Sequence, residues 1–180
     1  MNKRCIVLID GNNFYFKLKD LKLHNLLHFD FKGFAQNLAG KDRTVNTCYY
    51  VGAVKTDGTK HSQELFDNQR HLLAHLRNCH IRYTLGYLLK SDGIFHEKGV
   101  DVNIAVDMLV AVYENKADHL ILVSSDTDLL PAVKKAKQKG KTVEYIGFSH
   151  NPSLAMIANC TESRLLKKAE LEPFVLKTKK

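Results

Sequence analysis

Five short runs of apolar and β-branched residues alternate with stretches of helical character along the chain. The runs cover residues 5–9, 45–51, 81–85, 120–124 and 142–146. Strands that alternate with helices usually form a parallel sheet covered by those helices. With 180 residues, 44% of them hydrophobic, the chain is long enough for one such core. The sequence therefore predicts one α/β domain at 1–168, followed by a basic C-terminal tail at 169–180.

The predicted helices cover residues 31–39, 62–78, 101–115, 128–139 and 152–160. The helix at 101–115 is apolar nearly all the way round, so we expect it to be packed on more than one side. Residues 87–96 place Ser91, Asp92 and Gly93 between two short apolar runs, which predicts a hairpin that projects near the start of that helix.

Four aspartates stand where the predicted strands end or a helix begins. Asp10 closes the first apolar run, Asp126 and Asp128 follow the fourth, and Asp101 opens the helix between them. In an open α/β sheet, ligands bind beyond the carboxyl ends of the strands. Carboxylates crowded at that edge repel one another unless a divalent cation neutralises them. The pattern predicts a metal site of oxygen ligands.

Each of these side chains also has a structural interpretation. Asp10, Asp101 and Asp128 could cap helices instead of binding an ion, because aspartate accepts free N–H groups at helix starts. Asn13 could orient a bound water or cap a helix. Pro131 favours a helix that begins near Asp128 and leaves Asp126 in the preceding loop.

Two further residues, Gly11 and Asp107, belong to the same segments as these aspartates. Gly11 permits a sharp turn after the first strand. Asp107 lies about 120° round its helix from Asp101, so both cannot face one ion from the same side. We therefore expect Asp107 either to support a ligand or to form hydrogen bonds in the core.

The charge of the chain is positive although the predicted site is acidic. Lys and Arg number 27 against 19 Asp and Glu, which gives a formal net charge of +8. A basic body around an acidic cleft suits a polyanionic substrate such as RNA. Lys134, Lys135 and Lys137 either contact an RNA backbone or form an ordinary solvated helix face.

Cysteines and histidines give no zinc motif. The four cysteines are widely spaced and are expected to be reduced thiols, and His71 and His75 lack the H-E-x-x-H pattern.

The N-terminus carries too few apolar residues for a signal peptide, and no stretch reaches the length of a membrane span. We expect a cytoplasmic protein with no membrane association.

At three motifs the chain resembles the NYN domain, the LabA-like branch of the PIN-like nuclease superfamily. The motifs are Ile9-Asp10-Gly11-Asn12-Asn13, Lys98-Gly99-Val100-Asp101-Val102 and Ser124-Ser125-Asp126-Thr127-Asp128, and the resemblance spans residues 3–148. The resemblance implies a three-layer, PIN-like α/β/α sandwich with a mainly parallel central sheet. It also implies a ribonuclease that hydrolyses RNA phosphodiester bonds with Mg²⁺ or Mn²⁺. The implied acidic set is Asp10, Asp101, Asp126 and Asp128, with Asn13 beside it.

Two departures and several rival functions accompany this resemblance. PIN nucleases usually carry a further acidic residue, for which Glu64 and Asp67 are only weak candidates, and Leu129 stands where relatives often have an aromatic.

The rivals are a catalytically weak or inactive RNA-binding module on the same fold and a haloacid-dehalogenase-like phosphatase. The phosphatase needs a second aspartate two residues after its nucleophile, where this chain has Asn12. A toprim-like nuclease needs a glutamate at the end of its first strand, where this chain has Asp10. A homodimer or a protein partner stays open.

Overall fold

The computed structural model describes residues 3–40, 43–91 and 94–176. Its central sheet has six strands that all pair in parallel, in the order β3-β2-β1-β6-β7-β8. These strands are β1 (Lys3–Asp10), β2 (Arg43–Val51), β3 (Arg82–Leu85), β6 (His119–Val123), β7 (Thr142–Phe148) and β8 (Glu162–Leu166). A separate antiparallel pair consists of β4 (Tyr87–Ser91) and β5 (Ile94–Lys98).

Helices cover both faces of the sheet. The hydrophobic core on one face includes side chains from α1 (Gly11–Asp20), α2 (Phe31–Ala39), α3 (Lys60–Asn78) and α7 (Lys168–Leu171). The core on the other face includes side chains from α4 (Val100–Tyr113), α5 (Leu130–Gln138) and α6 (Leu154–Asn159). The predicted three-layer α/β/α sandwich with a parallel sheet is therefore confirmed. No helix in the described ranges combines the length and the apolar character needed to cross a membrane.

A cluster of phenylalanines fixes α1 directly after the first strand. Phe14 of α1 is fully buried, and its ring contacts Phe29, Phe31, Phe34 and Phe148 at centroid distances from 5.3 to 6.2 Å. Such contacts add to the free energy gained from burying large apolar rings. The chain must therefore turn into α1 immediately after the strand, which determines where Asp10 lies.

The sequence analysis missed α1 and β8. Helix α1 reads GNNFYFKLKD, and its glycine, asparagines and aromatic residues are poor helix formers. Its stability comes from tertiary packing, as the burial of Phe14 and Leu18 shows. Strand β8 reads ESRLL and lies at the edge of the sheet, where charged side chains are common. The two strands of the predicted hairpin are present, and its turn residues Asp92 and Gly93 lie outside the described residues.

Helix α4 packs against strands β1, β2 and β3 of the sheet and against the neighbouring helix α5. Its buried face carries Val100, Ile104, Met108, Ala111 and Val112. Its other face leaves exposed the side chains of Val102, Val106, Val110 and Tyr113. The prediction that the helix is packed on more than one side is therefore confirmed in part, because α4 contacts both the sheet and α5 while these four side chains are exposed.

Part of the segment predicted as a tail packs on the core. Leu171 is fully buried, and the Phe174 ring lies 5.5 Å from that of Phe34 and 6.2 Å from that of Phe29. The backbone of Asp30 donates to the carbonyl of Phe174 at 2.7 Å. The domain boundary at 168 stays a prediction, and residues 177–180 lie outside the described residues.

Candidate active site

The strand order reverses between β1 and β6. From β1 the chain continues to β2 on one side, while β6 on its other side leads towards β7 and β8. Ligands of open α/β sheets bind in the crevice at such a reversal, beyond the carboxyl ends of the strands. Asp10 is the last residue of β1, and Asp126 lies three residues after the end of β6. Two of the predicted site residues therefore lie at this position.

Asp10 is a buried carboxylate that accepts hydrogen bonds from its own chain. It is 4% exposed, its Oδ1 accepts the N–H of Asn13 at 3.0 Å, and its Oδ2 accepts the hydroxyl of Ser124 at 2.7 Å. Burial raises the pKa of Asp10, and the nearby charge of Asp126 raises it further, whereas the hydrogen bonds act in the opposite direction. Asp10 also serves as the N-cap of α1, so its predicted capping role is present. A carboxylate oxygen can accept more than one partner, so these hydrogen bonds do not by themselves exclude an ion.

Gly11 is needed for space beside Asp10. A Cβ at this position would lie 2.4 Å from the Tyr49 ring and 2.6 Å from the carbonyl oxygen of Tyr50. The Tyr49 hydroxyl donates to the carbonyl of Gly11 at 3.3 Å. The sequence analysis assigned this glycine to a sharp turn, whereas the structure shows that the close approach of strand β2 requires it.

The loop after β6 is held by Ser124 and by the side chain of Asn13. The hydroxyl of Ser124 accepts the N–H of Asp126 at 3.1 Å while it donates to Asp10. The Oδ1 of Asn13 accepts the N–H of Ser125 at 3.2 Å. Asn13 thus joins the start of α1 to the loop after β6, which fixes the distance between the two aspartate-bearing segments.

Asp126 and Asp128 occupy a 3-10 turn. The Oδ1 of Asp126 accepts the N–H of Asp128 at 2.8 Å, so Asp126 caps the turn Thr127–Leu129. Helix α5 then begins at Leu130 with Pro131 in its first turn, close to the predicted start. Asp128 is exposed and does not cap α5 with its side chain. Its carboxylate is consequently available to a ligand.

Asp101 is the second residue of α4. The N-cap of that helix is Gly99, which has a φ of 86° and offers no side chain, so Asp101 itself is not the N-cap. Helix α4 packs against β1 and against the 3-10 turn that carries Asp128. These contacts place α4, the helix that carries Asp101, next to β1 and next to the turn that carries Asp128.

Asp107 has a structural role away from these aspartates. The hydroxyl of Tyr50 donates to its Oδ2 at 2.8 Å, and the guanidinium of Arg82 lies 2.9 Å from the same oxygen. Of the two alternatives that the sequence left open, the structure favours a hydrogen-bonding role.

The structure brings Asp10 and Asp126 together but does not gather the complete predicted set around one point. In the described part of the chain, one group of three potential ligands has atoms that all lie within 4.8 Å of one another. That group is His119, Glu144 and Glu162, and it contains none of the four aspartates. The donors near Asp10 are all oxygens, which is the set that Mg²⁺ and Mn²⁺ prefer.

The three lysines predicted to contact RNA differ in their surroundings. Lys134 and Lys135 are exposed on α5. The ammonium group of Lys137 instead donates to the carbonyl oxygens of Asn159 at 2.5 Å and Cys160 at 3.3 Å. Lys137 therefore stabilises the end of α6, whereas the other two lysines are available to a partner.

Comparison with known proteins identifies the family. The family model for the NYN domain matches residues 4–166, which is nearly the whole chain. The chain belongs to the NYN domain family. NYN domains are part of the PIN-like nuclease superfamily, so the order of motifs that suggested this family is borne out.

Two proteins illustrate what this NYN domain is similar to. The uncharacterized protein MJ0482 of Methanocaldococcus jannaschii is 42% identical over 57 residues, which are 32% of this chain and 24% of that protein. The crystal structure of a protein of unknown function, VPA0982 from Vibrio parahaemolyticus, superposes with a TM-score of 0.70 at 23% identity. It covers 92% of this chain and 93% of that chain. This similarity shows a shared fold.

The role of Ser124 at the β1/β6 edge was not predicted from the sequence. From the sequence alone, this small side chain fits a hydroxyl contact and tight packing equally well. The structure shows that one hydroxyl contacts both aspartate-bearing segments. The signal in the sequence was its position, directly after a fully apolar strand and two residues before Asp126.

Proposed function

We propose that this NYN domain protein is a metal-dependent endoribonuclease whose site lies at the β1/β6 edge. Asp10 and Asp126 would hold Mg²⁺ or Mn²⁺, with Asp101 and Asp128 as further ligands from the neighbouring helix and turn. The observation that carries the proposal is the buried carboxylate of Asp10 beside Asp126. In the described residues, no salt bridge to a lysine, arginine or histidine compensates either charge.

The surrounding residues fit an ion of this kind. A buried carboxylate with a raised pKa is destabilised in its charged form, and a nearby divalent cation removes that cost. When bound, such an ion stabilises negative charge on phosphate oxygens and lowers the pKa of water. Ser124 and Asn13 restrict the movement of Asp10 and of the loop after β6, and such supporting hydrogen bonds keep ligands oriented.

We expect RNA binding to use exposed lysines of the chain. A net charge of +8 favours a polyanion, and Lys134 and Lys135 project from the helix that begins beside Asp128. These lysines would hold the phosphate backbone, while the aspartates and their ion would act on the phosphodiester bond. Phosphate contacts of this kind position the strand without reading its sequence.

The decisive experiment is a cleavage assay with purified protein and labelled structured and unstructured RNA. We expect cleavage in Mn²⁺ or Mg²⁺, none in EDTA, and a loss of about a thousandfold or more in Asp126→Asn, because a catalytic ion supplies several kcal/mol. Asp118→Asn makes the same chemical change at the opposite edge of the sheet and should retain activity. Cleavage that survives EDTA, or that Asp126→Asn leaves intact, contradicts the proposal. Binding without cleavage under every condition favours the RNA-binding module.

Asp101 can be tested separately because it is not the N-cap of its helix. Asp101→Asn keeps the size of the side chain and removes its charge. If Asp101 is a ligand, the variant should bind Mn²⁺ at least about tenfold more weakly than wild type, as measured by calorimetry. Unchanged affinity would remove Asp101 from the ligand set and leave the other aspartates in place.

The lysines are tested through the salt dependence of RNA binding in the inactive Asp126→Asn background. Replacing Lys134 and Lys135 by Gln should flatten the slope of log affinity against log salt by up to about two units. Lys137→Gln is the matched control from the same helix and should leave the slope unchanged, because Lys137 binds backbone carbonyls. Equal slopes for wild type and the double variant would move the RNA contact to another surface.

A further inference from the structure

A second group of potential metal ligands lies at the opposite edge of the sheet. His119 is the first residue of β6, so five residues of strand separate it from Ser124 at the aspartate edge. At about 3.3 Å per residue, this separation is roughly 16 Å. Any ion bound near His119 is therefore distinct from the ion of the proposed nuclease site.

The register of three parallel strands brings this group together. Glu144 of β7 pairs with Glu162 of β8, and Ile121 of β6 pairs with Glu144. Since side chains alternate along a strand, His119 lies on the same face as Ile121 and therefore on the face of the two glutamates. The Nε2 of His119 lies 3.0 Å from Oε2 of Glu144, and one ligand atom of each residue lies within 4.8 Å of the others.

The ion pairs of the described residues do not balance the charges of this group. Glutamates directly opposite each other on adjacent strands repel. In the described residues, the ion pairs give Glu144 only His119 as a partner and give Glu162 none. Arg164 shares the face of Glu162, but its guanidinium donates to Asn37 at 3.0 Å. The two carboxylates carry a negative charge that one divalent cation would balance.

Two of the three side chains are buried. His119 is 4% exposed and Glu144 is 8% exposed. The imidazole nitrogen and the carboxylate oxygen are both common metal ligands. Glu162 is exposed, so an ion can enter from solvent and keep water in its remaining positions.

We propose that His119, Glu144 and Glu162 bind a borderline transition-metal ion, with Zn²⁺ as the best match. One imidazole nitrogen with two carboxylate oxygens is a zinc-type donor set, whereas the all-oxygen aspartate site suits Mg²⁺ or Mn²⁺. In a tetrahedral zinc site the ligand atoms lie roughly 3.4 Å apart, so a small movement of the exposed Glu162 side chain completes the geometry. The ion would join the edge strand β8 to β6 and β7.

The test uses the full chain after EDTA treatment and dialysis. We expect calorimetry with Zn²⁺ to show one site that an excess of Mg²⁺ does not block. Glu162→Gln should weaken this binding at least about tenfold, and because Glu162 is exposed the variant should fold normally. Glu172→Gln is the matched exposed control, and Asp126→Asn removes the charge from the other site. Both should bind Zn²⁺ like wild type.

Two outcomes of the Zn²⁺ titration overturn the proposal. If Glu162→Gln binds Zn²⁺ as tightly as wild type, the ion sits elsewhere, for example near Cys79 and His75. If wild type binds no Zn²⁺, the three side chains only contact one another and hold no ion. Should Glu162→Gln not fold, NMR of wild type decides, because Zn²⁺ must then shift the ring resonances of His119. Loss of RNA cleavage in Asp126→Asn leaves all these readings unchanged, so the two proposals fail independently.

Discussion

Aspartates at the two ends of the parallel strands have opposite pKa shifts. Asp10 lies at the carboxyl ends of the strands, here called the carboxyl edge, and Asp118 lies at their amino ends, here called the amino edge. At the carboxyl edge, burial raises the pKa of Asp10. At the amino edge, Asp118 is partly exposed, and a hydrogen bond from the guanidinium of Arg4 lowers the pKa of Asp118 to about 2. The amino group of Lys141 also approaches Asp118, at 3.4 Å. A carboxylate that is paired with cations of its own chain increases the free energy of unfolding. A carboxylate that is buried beside another acid decreases it, and a bound ion can offset this loss.

The largest expected effect comes from removing the hydroxyl that links the two acidic segments. Ser124→Ala leaves the Oδ2 of Asp10 and the N–H of Asp126 without that partner, so we expect Mn²⁺ affinity to fall about 10- to 100-fold. The free energy of unfolding should fall by about 1–3 kcal/mol. Ser125→Ala is the control, because its hydroxyl contacts Tyr145 instead. Equal Mn²⁺ affinities in both variants would show that Ser124 does not support the metal ligands.

Gly11→Ala tests whether space beside Asp10 is limiting. The added Cβ meets the Tyr49 ring and the backbone of Tyr50, so β2 or α1 must shift. We expect a loss of about 1–3 kcal/mol in the free energy of unfolding, measured with urea. A variant as stable as wild type would show that the aspartate edge is more loosely packed than the amino edge of the same strands.

Asp10→Asn tests the cost of the buried charge. Because the pKa of Asp10 is raised in the folded state, folding is penalised above that pKa, and the penalty disappears below the ordinary aspartate value. In EDTA at neutral pH, we expect the variant to be more stable than wild type by up to about 2 kcal/mol. Acidification should remove this difference, which thermal melts across pH would show. A variant less stable at every pH would mean that Asp10 stabilises the fold.

Asp118→Asn should have the smallest effect and the opposite sign. The lowered pKa means that the ionised carboxylate stabilises the fold above the ordinary aspartate value, and this stability is lost as pH falls through about 2. The variant should be slightly less stable than wild type at neutral pH, because an exposed ion pair contributes little. The two should converge in strong acid. A gain in stability would remove the contrast between the edges.

Sequence alone predicted the positions of Asp10 and Asp126, because an apolar strand followed by aspartate is a local pattern. It could not predict which oxygens are already hydrogen-bonded, since those partners come from other strands. Gly11 illustrates the limit, because the Tyr49 ring that requires it belongs to β2.

The group at the amino edge could not have been found from spacing. His119, Glu144 and Glu162 lie on three different strands, and only the register of those strands places them on one face. Strand β8 was itself missed, so Glu162 had no predicted neighbours. Helix α1 was missed for a related reason, because its stability comes from the buried rings around Phe14 and not from its own residues.

The segment after the last strand determines how the protein should be produced. The family match ends at residue 166, yet two core residues lie beyond it: Leu171 is fully buried, and the ring of Phe174 contacts those of Phe29 and Phe34. A chain shortened to the family boundary would present those aromatic surfaces to solvent, which promotes aggregation. Expression of the domain for assay or crystallisation should therefore extend at least through Leu176, whose backbone N–H still donates to His28.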